Sequence, residues 1–184
     1  MPRLQRAFNQ VRRELHELGV LDGYLDTIDC TRTILPTLSC LGYVYDQGVH
    51  WLPRLAGFEP GVIYVPINAP VQARIHGSTL IDTLRHEYAH AWAWFDRRRI
   101  DGGWFKRAFG GRYGDDAHRT IHEPVEHHYV SAYATTRPSE NFAETLMVYM
   151  RHRRSLARFE SRPAVCARLR AVEEFVADTA RRLR

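Results

Sequence analysis

The chain has 184 residues, is 45% hydrophobic and 26% charged, and carries a formal net charge of +5 at pH 7. That length and balance suit one folded domain with a real core and exclude a disordered or low-complexity chain. No run approaches the ~20 apolar residues of a membrane span, and Cys30, Cys40 and Cys166 form no CxxC pair, which excludes a zinc ribbon.

The predicted elements begin with an amphipathic helix, in which Leu4, Phe8, Val11, Leu15 and Leu18 recur at helical spacing and Gly19 supplies the stop. Charge runs through this N-terminal stretch and no apolar h-region interrupts it, so no secretory signal and a cytoplasmic location are expected. Free thiols in a reducing compartment fit that location; a Cys30–Cys40 bridge would need an oxidising one. The "HELG" at 16–19 begins like a metal motif, but Val20 stands where a second histidine is needed, so His16 and Glu17 read as a solvated face. Between residues 21 and 76 fall Pro36, Pro53, Pro60, Pro66 and Pro70. Strands are expected in "LGYVYDQG" (41–48) and "GVIYVPI" (61–67), the second at a sheet edge because of Pro66.

At Ser78, a candidate N-cap, the pattern turns helical through Leu84, His86, Glu87, His90, Trp94 and Phe95. This helix is expected to end near Arg97–Arg99 and Gly102–Gly103, with short helices and loops over 101–132. A further helix starts at Ser139 after Pro138, with Phe142, Leu146, Tyr149 and Met150 on its apolar face. A last helix over 164–182 carries Val165, Leu169, Val172, Phe175 and Val176. Without repeats or a long linker, the pattern predicts a single domain over 1–184, of α+β class.

The chemistry concentrates in "TLRHEYAHAW" (83–92). Residues i and i+4 of a helix project side by side, so His86 and His90 can reach one ion at Zn–N distances of ~2.0 Å. Glu87, ~100° around the helix, is placed to act as general base. Catalytic zinc usually takes a third protein ligand. His118 and His122 repeat the spacing, but "HEPVEHH" (122–128) has Glu126 where the second histidine belongs and Pro124 inside it. With His127 and His128, these histidines read as a polar loop. The stronger candidate is "SAYATTRPSENFAETLMVYM" (131–150). There Glu140 would bind the metal and Glu144, one turn on, would hydrogen-bond a ligand histidine and hold its tautomer. Their alternative reading is two surface glutamates at a helix N-terminus. Tyr133 can supply an oxyanion donor or a core aromatic.

These two segments together resemble the bacterial zinc-binding metallopeptidases of the gluzincin group. There an HExxH helix is followed some fifty residues later by a segment like S-A-Y-A-x-x-x-P-x-E-D-F-A-E-T. The second segment is also similar to its counterpart in the catalytic domain of anthrax lethal factor. The resemblance covers about residues 79–152. It implies His86, His90 and Glu140 as ligands of Zn2+, Glu87 as base, Tyr133 as oxyanion donor and Glu144 behind them. It further implies a zincin-like fold: a small mixed sheet with an edge strand, an active-site helix and a mostly helical C-terminal part. Asn141 stands where relatives carry an acidic residue, and the cysteine-rich segment of many relatives is absent.

The expected function is a zinc-dependent peptidase acting on a peptide or protein that pairs with the edge strand near 61–65. Imidazole and carboxylate ligands would also accept cobalt or manganese. Trp92, Trp94, Trp104 and Phe105 read as core before pocket. The rival reading is a non-catalytic zinc protein whose arginine clusters at 97–99 and 151–154 bind nucleic acid or a partner protein. Its counter-reading is solvated helix ends. Amidase or deformylase chemistry on a small substrate is a third option, sharing the same water attack.

Overall fold

The computed structural model describes residues 2–21, 23–33, 43–44, 61–70, 77–115 and 125–184. They show a mixed, helix-rich α+β chain with a small sheet, gathered into two compact units, Met1–Trp94 and Phe95–Arg184.

In the first unit, helix α1 (Pro2–Glu17) buries Leu4, Phe8, Val11 and Leu15 along one stripe. Its end is fixed by Gly19 at φ 70, where a side chain would be strained. The Gly19 N–H donates to His16 O and the Val20 N–H to Leu15 O, the paired bonds of a Schellman cap. His16 and Glu17 are exposed, as the interrupted motif implied.

Strands β1 (Asp29–Thr33) and β3 (Val62–Pro66) pair in parallel, and the short β2 (Tyr43–Val44) pairs antiparallel with the other side of β3. The order is β1-β3-β2. The sheet is mixed, as expected, but β3 is its central strand, which corrects the assignment of 61–67 to an edge. The unbroken apolar run Val62–Val65 is the signature of a strand covered on both faces, and Ile63, Tyr64 and Val65 are buried. Pro66 costs the sheet little at the last position, because the following Ile67 N–H donates to Thr33 O at 3.1 Å. A peptide therefore does not find a bare edge at residues 63–64, where β2 already pairs. Strand β1, polar and without a clear alternation, had no sequence signal.

Helix α2 (Leu80–Phe95) carries the HExxH sequence. Its cap is Thr79, not Ser78: Thr79 Oγ1 accepts the Asp82 N–H at 3.1 Å, and Asp82 Oδ2 accepts the Thr79 N–H at 3.2 Å. This is a reciprocal capping box with aspartate in the third position, and Ser78 lies one residue too early for it. Asp82 also accepts from Arg85 at 2.7 Å, and Arg85 grips Glu14 of α1 with two bonds of 2.8 and 2.7 Å. Tyr88 stacks on Phe8 of α1 with ring centroids 5.9 Å apart. Arg85, the one charged neighbour of the motif, thus ties α2 to α1.

The second unit holds α3 (Arg97–Ile100), α4 (Gly103–Phe109), α5 (Val125–His128), a 3-10 turn at Tyr133–Thr135, α6 (Pro138–His152), a 3-10 turn at Leu156–Phe159 and α7 (Pro163–Arg182). Phe105, Phe109, Phe142 and Phe175 form its aromatic core, each ring 4.9–5.8 Å from at least one other. Trp104 stacks on Phe175 at 5.4 Å and Phe105 is buried, so these aromatics read as core, and Trp92 is likewise buried within the first unit. Arg99 lies over the rings of Trp104 and Phe175 and pairs with Asp178. It is a packing residue, whereas Arg97, Arg98, Arg151 and Arg154 are exposed. The α7 residues Val165, Leu169, Val172, Phe175 and Val176 are all buried, as their spacing predicted. Among the described residues no helix is long and apolar enough to cross a membrane.

Candidate metal centre

The helical period brings His86 and His90 onto one face of α2. Their ring centroids are 4.8 Å apart, and Nε2 of one lies 3.0 Å from Nε2 of the other. Two nitrogens sharing a tetrahedral ion at ~2.0 Å would stand about 3.3 Å apart, so the donor pair fits such an ion with a small adjustment. Glu87 is 5% exposed. Beside it runs β1, whose Cys30 thiol is pushed up to about 12, first by burial, then by Asp29, with Glu87 adding to the negative potential against Arg32. Cys30 and Cys166 are free thiols, and Cys40 lies outside the described residues.

The second motif folds as a turn and a helix. Arg137 is extended, Pro138 occupies the first helical position and Glu140 falls in the first turn of α6. Proline is preorganised for that position and lacks only an N–H that would have been orphaned. Gly111 lies against it: a Cβ there would stand 2.8 Å from Pro138 Cγ. The helix N-terminus favours the Glu140 carboxylate, whose Oε2 is buried. His86 and His90 supply two imidazoles from α2 of the first unit, and Glu140 supplies a carboxylate from the first turn of α6 of the second. His118 and His122 lie outside the described residues.

Glu144 stands one turn after Glu140 and accepts a 2.6 Å hydrogen bond from Ser131 Oγ. Ser131 Oγ in turn accepts the Ala134 N–H at 3.1 Å, so a residue without an assigned role in the sequence reading joins Glu144 to the Tyr133 turn. Tyr133 is 54% exposed, which removes the core-aromatic reading. Asn141 is 1% exposed, and its carbonyl accepts from Thr145 Oγ1 at 2.6 Å. An aspartate there would bury a charge, which gives the departure from the expected acidic residue a local reason. His128 and Tyr129 offer their carbonyls to Arg168 and Arg162, and Arg168 also covers the Tyr129 ring at 4.7 Å. Arg168 thus ties the end of α5 to α7, and Arg162, just before α7, holds the residue that follows α5. Comparison with protein-family models, curated proteins and solved structures gives no significant match.

Proposed function

We propose that the protein is a zinc-dependent peptidase with a zincin-like, gluzincin-type site. His86, His90 and Glu140 would hold the ion, Glu87 would act as general base and Tyr133 as oxyanion donor. The observation that carries this reading is the pair of imidazoles on one face of α2, with their Nε2 atoms 3.0 Å apart. A buried glutamate directly follows the first histidine.

Zinc held there supplies Lewis acidity, lowering the pKa of water toward ~7 and polarising a carbonyl. The chain's own residues supply the rest. Glu87 takes the proton of the attacking water and passes it to the leaving amine. Its burial keeps competing solvent from that carboxylate. Tyr133, exposed on its turn, is accessible to a substrate and can donate its phenolic proton to a carbonyl oxygen that gains charge. Glu144 and Ser131 hold the turn that carries it. A two-His, one-carboxylate set favours zinc over magnesium or calcium, which prefer all-oxygen ligands.

The test is metal analysis and cleavage of a denatured protein mixture, with wild type beside Glu87→Gln. The expected result is one zinc per chain in both and a loss of at least 10²-fold in hydrolysis for the variant. Cleavage at the wild-type rate by Glu87→Gln would refute the assigned chemistry.

A further inference from the structure

We infer that Ser131 is a positioning residue for Tyr133, latching the Tyr133–Thr135 turn to helix α6 through Glu144; this inference rests on the peptidase reading above. Tyr133 is 54% exposed, so burial of its own ring contributes little to placing it. What shapes its turn is hydrogen bonding. Thr135 Oγ1 donates to Ala132 O at 2.7 Å and Thr136 Oγ1 to Tyr133 O at 2.8 Å, and both bonds stay within the turn. Ser131 reaches out of it. Its hydroxyl accepts the Ala134 N–H at 3.1 Å and donates to Glu144 Oε2 at 2.6 Å.

A hydroxyl–carboxylate bond of that length is charge-assisted and stronger than a neutral one. A serine is suited to the task because a single oxygen can accept from the backbone while donating to the acid. The buried Ala134, 1% exposed, seats the turn, and Ser131 fixes its rotation. Glu144 lies one helical turn beyond Glu140, so the latch couples the position of the phenol to the segment that carries the third proposed ligand. An oxyanion donor misplaced by about 1 Å can cost on the order of 10²-fold in rate. The sequence places Ser131 at the head of the second motif, two residues before Tyr133; the bond to Glu144 across 13 residues comes from the fold.

The experiment compares wild type, Ser131→Ala, Ser131→Thr, Tyr133→Phe and the double variant Ser131→Ala/Tyr133→Phe. The probe is fluorescein-labelled, unfolded casein, and zinc content is measured on each protein. Expected are an apparent kcat at least tenfold lower in Ser131→Ala with KM and zinc content unchanged, and recovery in Ser131→Thr. No further loss is expected when Ser131→Ala is added to Tyr133→Phe. A readout independent of activity is amide exchange: the Ala134 N–H should exchange at least tenfold faster in Ser131→Ala and near the wild-type rate in Ser131→Thr. Full activity in Ser131→Ala, or additive losses in the double variant, would overturn the latch while leaving the peptidase reading standing. A zinc-loaded wild type that hydrolyses nothing would overturn both.

Discussion

Replacing Arg85 by methionine removes a cation that bridges two carboxylates inside the first unit. Arg85 makes two bonds to Glu14 and one to Asp82, at 2.8, 2.7 and 2.7 Å. The guanidinium and Asp82 side chains are 9% and 2% exposed, and Glu14 is 15% exposed. Burial by itself disfavours the guanidinium charge, but hydrogen bonding and attraction from Glu14, then Asp82, raise its pKa above the ordinary value. Methionine fills similar space and leaves both acids without their partner. Breaking a buried pair in this way costs roughly 3–5 kcal/mol. The figure here should fall near ~3, because Glu14 is partly solvated and Asp82 keeps the Thr79 hydroxyl at 2.8 Å. Urea unfolding followed by circular dichroism gives the number. The cycle with Glu14→Gln isolates the α1–α2 tie, and the double variant should lose less than the sum of the single losses. A loss below ~1 kcal/mol for Arg85→Met, or strict additivity in the cycle, would refute the claim that this network holds the HExxH helix to α1.

Gly111→Ala should destabilise by ~1–3 kcal/mol, since its Cβ would stand 2.8 Å from Pro138 Cγ at the start of α6; thermal unfolding checks it. In a Cys40→Ser/Cys166→Ser background, Cys30 should react with a thiol reagent at pH 8 about 10³-fold more slowly than a thiol of pKa 9.0. Its pKa is raised to about 12, and the thiolate is the reacting form. A folded-state pKa raised for an acid that ionises to an anion means the folded chain binds the proton more tightly. That contribution to stability is therefore full below pH 9 and is lost as pH rises toward 12, which alkaline unfolding of Cys30→Ser beside wild type would detect. Glu140→Ala should cut zinc affinity at least tenfold while leaving the fold intact, measured by competition with a chromophoric chelator.

Much of the chain was legible because its signals are local. The spacing of Leu4, Phe8, Val11 and Leu15 and of Val165, Leu169, Val172 and Phe175 specifies helices with one buried face, and those residues are buried. The four-residue step from His86 to His90 likewise determines that two imidazoles share a helix face, because helical geometry admits nothing else. Pro138 announces the start of α6, and Glu140 and Glu144 then follow one turn apart.

What the sequence could not decide depends on partners distant along the chain. Pro66 argued for an edge strand, yet β3 is central, because strand order is set by what pairs with each side and not by one residue's missing donor. Arg85 finds its partner in Glu14, 71 positions earlier, which no local pattern announces. Ser131 heads the second motif but no role follows from that position, and its bond to Glu144 exists only once a turn is folded against a helix. The choice of Thr79 over Ser78 as cap rested on one residue of helix phase, fixed by where Asp82 can reach back. Sequence determined which side chains could share a face; tertiary structure decided which of them meet, since hydrogen bonds and ion pairs require contact and contact is non-local.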